Sequence, residues 1–355
     1  IRNPGRPPVL GLTATATDEV AVDTLKQLDL ADAEVISIGI ERKNLAFEVV
    51  RTVNEDVKRA RLKEILQEQS GGVGIIYVPT VKQADALCKW LIDEQFRAGQ
   101  YHGRMKMPAR EANQQAFMAN EIDVMVATKA FGLGIDKQDI RFVIHYAVPD
   151  SIETYVQESG RAGRDGKQAR AILFYRLEDR RVQSYFLGGK YPRRDESLAL
   201  YRTLDQMPRR EDLGDRTPEQ WLGEVTDLAE KRVKVILALL ESTGIIQRKP
   251  HVSKIRDFNT DQEFAAFLEE YEQRHNGDRQ RLDAMMLFGQ ITTCRMRYLL
   301  DYFGEEVETD CSRCDNCRAA QEAADSNFRD AALSEAAIKP ATSSCGIGAA
   351  VAANS

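Results

Sequence analysis

No stretch of the 355 residues approaches the run of about 18 apolar positions that crosses a membrane, and Ile1-Arg2-Asn3-Pro4 lacks the apolar segment and cleavage site of a secretory signal. A membrane-spanning or secreted product is therefore disfavoured. Cysteine is scarce and clustered: three of the six stand in Cys311-x-x-Cys314-x-x-Cys317. A disulfide framework spreads its cysteines along the chain, so this grouping points to metal ligation in a reducing compartment. Charge of one sign is missing too. With 49 Lys+Arg against 55 Asp+Glu the formal balance is -6, which excludes a wholly basic, histone-like binder and leaves room for local basic patches. No initiator Met is present, and Ile1 reads as a cut inside a longer chain. What is there, 43% hydrophobic and 29% charged positions, suits two to three globular domains.

Between about Gly72 and Tyr175, β-branched runs alternate with helical patterns. Strands are expected over 73–78, 122–127, 142–146 and 169–175, and helices near 81–97 and 108–120. A short helix precedes the last strand, with Asp150 three residues before Glu153 in the spacing of a capping box. Continuous apolar strands separated by helices imply an α/β fold, a parallel sheet covered on both faces. Ligands of such sheets sit beyond the carboxyl ends of the strands, so chemistry is expected in the loops after Val126 and after the Asp150 helix. Upstream, Val9-Leu10-Gly11-Leu12 reads as one strand running into Thr13-Ala14-Thr15, and a helix follows over 18–28.

Beyond Tyr175 the periodicity becomes helical. Thr217-Pro218 pairs a capping side chain with Pro at the first helical position. The next helix, about 226–242, carries Leu228, Val233, Ile236, Leu237 and Leu240, stops at Gly244 and runs into Ile245-Ile246-Gln247-Arg248-Lys249. Helix, helix, Gly and a basic two-strand wing is the pattern of a winged-helix module; a small helical bundle with a solvated Lys231-Arg232-Lys234 face fits the same periodicity. From about residue 320 the chain is Ala- and Ser-rich and reads as a loosely ordered tail. Cys88 and Cys345 stand alone and read as inert thiols.

Two strings carry the strongest chemical signal. The first is Ala127-Thr128-Lys129-Ala130-Phe131-Gly132-Leu133-Gly134-Ile135-Asp136; the second is Gln157-Glu158-Ser159-Gly160-Arg161-Ala162-Gly163-Arg164-Asp165-Gly166. Two arginines three apart at the end of a short helix, among glycines that let the backbone come close, form a fork suited to phosphate oxygens. These strings resemble motifs V and VI of superfamily 2 helicases, and the second resembles the RecQ family in particular. The resemblance implies a RecA-like domain in which Arg164 is the arginine finger, Arg161 its partner on the phosphates and Gln157 their support, with Gly134 and Asp136 approaching ATP and its Mg2+. It extends to Thr13-Ala14-Thr15 (motif III), to the junction Glu41-Arg42-Lys43-Asn44-Leu45, to Ile75-Ile76-Tyr77 with Thr80 (motif IV) and to Tyr101-His102-Gly103. Val78 stands where the family usually has Cys, and Val81 where an Arg is usual. Thr80, His102, Thr128 and Lys129 are the candidates for contact with a DNA backbone, and Lys231 and Arg232 for duplex binding.

The second signal is metal. Cys294 precedes the three clustered cysteines in the spacing Cys-x16-Cys-x2-Cys-x2-Cys. Short Cys-x2-Cys turns aim thiolates at one point, and a fourth from a helix closes the tetrahedron that zinc accepts. Four thiolates leave no open coordination position, which argues for a structural site; an iron–sulfur cluster is the rival occupant. The expected helix 282–303, with Cys294-Arg295-x-Arg297 and Tyr302-Phe303-Gly304-Glu305, resembles the RecQ zinc-binding segment, which implies Zn2+.

An ATP-driven motor also needs a Gly-x-x-x-x-Gly-Lys-Ser/Thr loop and an acidic strand end for magnesium, and neither is in this sequence. The division implied is the end of a first RecA-like motor domain over 1–40 and a second over 41–190. A winged-helix-like insertion over 191–279, a helical zinc-binding domain over 280–320 and a disordered tail over 321–355 follow. The expected function is that of an ATP-dependent 3′–5′ DNA helicase of the RecQ type in repair and recombination. Its partners would be single-stranded DNA and duplex junctions in a bacterial, nucleoid-containing cytoplasm. With its ATP site incomplete, this chain alone is expected to be inactive. The rival reading is a non-enzymatic, zinc-containing DNA-binding protein that keeps a remnant motor domain.

Overall fold

The computed structural model describes residues 9–13, 17–30, 33–37, 39–132, 135–179, 193–208, 212–248, 252–258 and 260–337. A first helix, α1 (Asp18–Gln27), precedes a six-stranded sheet built from β1 (Leu45–Arg51), β2 (Val73–Tyr77), β3 (Ala98–Tyr101), β4 (Val124–Ala127), β5 (Ile140–His145) and β6 (Ala169–Tyr175). The strand order is β1-β6-β5-β2-β4-β3 and every neighbouring pair is parallel. The central strands β2 and β4 are buried at every residue, which is why their sequences run apolar without alternation. The α/β, RecA-like parallel sheet expected from the sequence is the architecture found.

Successive side chains of each strand go to opposite faces. Ile76, Val126, Ile144 and Phe174 meet Leu62 and Ile65 of α2 (Glu55–Glu68) and Leu87 and Leu91 of α3 (Val81–Asp93). On the other face Ile75, Met125, Val143 and Leu173 meet Phe117 of α4 (Met107–Met118) and Tyr155 of α5 (Ile152–Ser159). A Cβ on Gly74 would overlap the Phe142 ring on the neighbouring β5. Gly74→Ala is therefore expected to cost about 1–3 kcal/mol of stability. Urea unfolding with a lower midpoint and unchanged slope would show it; an unmoved midpoint would mean that the ring yields freely.

The C-terminal region has two parts. Helices α6 (Arg194–Thr203), α7 (Pro218–Thr226) and α8 (Glu230–Ser242), with the antiparallel pair β7 (Ile246–Gln247) and β8 (Ser253–Lys254), enclose a separate core that Phe264 and Leu268 complete. Three helices are followed by a two-strand hairpin, and Thr217 caps α7 as read, with Gln220 completing the box. The helix expected over 226–242 starts later, because Asp227 takes a left-handed turn (φ 55°) between α7 and α8. The 30-residue α9 (Asp261–Gln290) then leads to α10 (Arg295–Tyr302) and α11 (Asp315–Ala337). Leu282, Met285, Phe288, Met296 and Leu299 belong to the same hydrophobic core as the sheet face that carries α5.

Several expectations are corrected. Residues 9–12 form no strand and pair with none of the described residues, and Leu10 and Leu12 are 80% and 86% exposed. The cap of α5 is Ser151, whose hydroxyl accepts from Thr154 N, while Asp150 is engaged by Lys129. The helix read over 282–303 is broken after Gln290, since Cys294 must sit at a helix start for its sulfur to accept from Arg297 N. The boundary at 279/280 falls inside α9, and α11 continues past residue 321 to Ala337. Strands β1 and β3 and helix α2 are additional to the reading. Among the described residues no helix is long and apolar enough to cross a membrane.

Candidate functional site

The two motif strings meet at the carboxyl edge of the sheet. Helix α5 ends at Gly160, and the following turn sends its arginines in different directions. Arg161 folds inward, its Nη1 donating to Gly132 O at 2.6 Å, and a Cβ on Gly132 would overlap its guanidinium. Arg164 stays partly in solvent, 33% exposed, and pairs with Asp136 Oδ1 at 2.8 Å while donating to Ile135 O at 3.2 Å. The strings beginning at Ala127 and Gln157 are thus fastened together by both arginines. Gln157 lies exposed on α5, and Gly134 lies outside the described residues, as do Ala14 and Thr15 of the motif III tripeptide, Lys249 and Cys345.

Three groups to which the sequence assigned no role of their own support this edge. Tyr77 donates its hydroxyl to Phe131 O at 3.0 Å, and His145 Nε2 meets Glu158 Oε2 at 2.8 Å with both residues buried. The Tyr77 ring stacks on His145, centroids 5.5 Å apart. Burial, then the nearby Glu158 carboxylate, pushes the Tyr77 hydroxyl well above its ordinary range, so it remains a donor at neutral pH. Continuous apolar strands explain Tyr77 and His145 as core, which concealed their polar ends. Above them opens a pocket of about 300 Å3 whose rim includes Thr128, Lys129, Pro149 and Asp150.

Of the candidates for DNA contact, only Thr128 and Lys129 share this pocket, and Lys129 is paired with Asp150. Thr80 caps α3, accepting from Gln83 N at 3.2 Å. His102 is buried, with Nε2 on Asp85 Oδ1 at 3.0 Å. Arg232 lies on α8 against Glu196 at 2.7 Å, and Arg248 of the wing against Glu219 at 2.6 Å. Lys231 sits beside Arg232 at the start of α8.

The junction residues have a definite place. Arg42 Nη2 donates to Gly163 O at 2.6 Å, and Asn44 Nδ2 bridges Gly163 O and Lys167 O at 2.7 and 2.8 Å. Gly163 has φ 64°, the left-handed region that glycine tolerates, and any Cβ there would collide with Asn44.

The four cysteines converge as their spacing requires. The sulfurs of Cys294, Cys311, Cys314 and Cys317 all lie within 4.8 Å of one another, with Cys311 and Cys317 4.0 Å apart. A zinc–sulfur tetrahedron has edges of about 3.8 Å, so the set fits a single ion. Backbone amides supply the charge complement: Arg297 and Cys311 donate to the Cys294 sulfur, Cys314 to that of Cys311, and Arg295 and Cys317 to that of Cys314. Ser312 makes the tight turn with φ 57°. The cluster is seated on the sheet by Arg295, 2% exposed, whose guanidinium grips Asp315 and also donates to Phe288 O at 2.7 Å. Asp315 Oδ2 in turn accepts from Val49 N at 2.9 Å, so the module covers the β1 edge.

The chain matches two family descriptions, "Helicase conserved C-terminal domain" over residues 57–166 and "RecQ zinc-binding" over residues 251–318. It is 42% identical over 182 residues to the ATP-dependent DNA helicase RecQ of Bacillus subtilis, an alignment covering 51% of this chain and 30% of that protein. It is 31% identical over 319 residues to the probable ATP-dependent DNA helicase RecS of the same organism, covering 87% and 60%. Among solved structures it is similar to the E. coli DEAD-box protein SrmB, bound there to regulator of ribonuclease activity A. That match has 25% identity and a TM-score of 0.36 over 38% of this chain and 78% of that one. The zinc-binding match begins at 251, so the hairpin strand β8 and all of α9 fall within it.

Proposed function

The chain belongs to the RecQ family of superfamily 2 helicases, and from that premise we propose that it supplies the arginine wall of an ATP-dependent DNA helicase. The observation that carries this reading is Arg164: partly exposed at the carboxyl edge of the sheet, and held by an ion pair to Asp136 that a phosphate group could replace. Arg164 would stabilise charge on the transferring phosphoryl, and Arg161 would hold the turn against Gly132. ATP with Mg2+ supplies the driving chemistry when bound, and a P-loop outside these 355 residues would hold it. Thr128 and Lys129 would meet the backbone of single-stranded DNA, and the α8 face with Lys231 would meet duplex at a junction. Translocation 3′ to 5′, a role in repair and recombination, and residence in a bacterial nucleoid-containing cytoplasm complete the reading; it rests on resemblance for these. Four converging thiolates, those of Cys294, Cys314 and Cys317 buried and that of Cys311 half-buried, fit zinc with a structural task.

The test joins the chain to an intact RecQ-type P-loop domain. The chain alone is expected to show no ATPase, and the joined protein an ATPase stimulated by single-stranded DNA with an affinity that falls steeply with salt. A joined protein that folds, binds ATP and never responds to DNA would favour the remnant-motor alternative.

A further inference from the structure

A five-residue strap, Ile40 to Asn44, touches both sites. At one end Ile40 N donates to Glu305 Oε1 at 2.8 Å, and Glu41 pairs with Arg313 at 2.7 Å. Arg313 lies between Cys311 and Cys314, inside the metal turn. At the other end Arg42 reaches Gly163 O at 2.6 Å and Gly160 O and Ala162 O at 3.5 Å each, while Asn44 holds Gly163 O and Lys167 O. Those carbonyls belong to the turn that bears Arg161 and Arg164.

We propose that Glu41, Arg42 and Asn44 are positioning residues that tie the seating of the four-cysteine module to the orientation of the arginine turn. The carbonyls beyond the end of α5 have no helical partners, and a cation is the group that a helix C-terminus favours. Arg42 meets that need with a planar fork, which fixes the turn more tightly than a single flexible donor could. Ile40 packs against the core shared by sheet and module, so the strap is anchored on its upstream side. A shift of the metal turn acts on Glu41 through Arg313, and Glu41 is bonded directly to Arg42. The arginine turn therefore takes its register from the module across the strap.

The test is hydrogen exchange by mass spectrometry on the zinc-loaded 355-residue chain. Glu41→Lys and Arg313→Glu should each speed exchange over residues 160–166 by about twofold to fivefold, the range for a half-exposed ion pair. Combining the two, which reverses the pair, should restore the original rate. Arg42→Gln should speed the same amides by about tenfold or more, since charged hydrogen bonds to carbonyls are lost. Zinc content and exchange of β1 should not change. Exchange over 160–166 that is unaltered in the single variants, a reversed pair that fails to restore it, or equal loosening of β1 would overturn the proposal. The activity readout rests on the function proposed above: in a protein joined to a P-loop domain, the single variants should lower kcat with little change in the KM for ATP. If exchange responds but the joined protein shows no DNA-stimulated ATPase, the strap stands and the helicase reading is what fails; a working ATPase whose kcat ignores the variants would overturn the link from strap to arginine turn.

Discussion

Cys314→Ser is expected to release the zinc and to unfold the module around it, the largest stability effect of any single substitution in the chain. The expected size comes from two scales: structural zinc sites contribute about 10–16 kcal/mol of apparent binding free energy, and whole domains are stable by about 5–15 kcal/mol. Cys314 is fully buried, and its sulfur receives the amides of Arg295 and Cys317. Loss of the ion would leave these donors and three thiols facing a cavity in the core that the sheet shares. The damage should then travel along Arg295 and Asp315 to Val49 N, exposing the β1 edge. Metal analysis should give one zinc per wild-type chain and none in the variant, with the main thermal transition lowered and broadened. Chelator should reproduce this in the wild type. Cys88→Ser is the control: Cys88 is buried against the other sheet face, where burial pushes its thiol up to about 11, an inert group. It should keep its zinc. A zinc-free Cys314→Ser that melts like the wild type would sink the structural role.

How much of this was legible beforehand depended on the range over which each signal acts. The sheet could be read because β2, β4, β5 and β6 are buried on both faces, and continuous apolar runs announce that environment locally. Strand β3, Ala-Gly-Gln-Tyr at an edge, carries no such run and becomes a strand only by pairing with β4. The strand expected at 9–12 fails for the converse reason, since apolar sequence with no partner among the described residues makes no ladder. The thiolate set was legible because Cys-x2-Cys geometry is local, and its fourth member required only that Cys294 cap α10. The seating of the site was not. Arg42 meets Gly163, and Asp315 meets Val49, across 121 and 266 residues, and no periodicity encodes a contact of that separation. The inward turn of Arg161 was likewise hidden: a fork of two arginines three apart reads as two phosphate ligands, whereas the space left by Gly132 admits one of them to the interior.

That division of labour gives the second large effect. In a protein joined to a P-loop domain, Arg164→Ala is expected to lower kcat for ATP hydrolysis by about 10³–10⁵, the range for removing an arginine finger. Its stability should hardly alter, because Arg164 is partly exposed and its ion-pair partner, Asp136, is 74% exposed. Arg164→Lys should recover little, since a single ammonium does not reproduce a planar fork on phosphate oxygens. Arg161→Ala should behave differently: it removes a charge-assisted bond to Gly132 O and leaves a gap beside Tyr77, so activity and unfolding midpoint should fall together. Asp136→Asn separates the remaining question, because it frees Arg164 without touching the turn. If the pair holds the arginine only until phosphate replaces it, this variant should keep kcat within a few-fold of wild type, as phosphate would form its own bonds to the fork. If kcat collapses as far as in Arg164→Ala, Asp136 orients the arginine during turnover and the pair is part of the working site. Parallel steady-state kinetics and urea titrations on these four variants distinguish the two, and a wild-type kcat in Arg164→Ala would remove the arginine from the chemistry altogether.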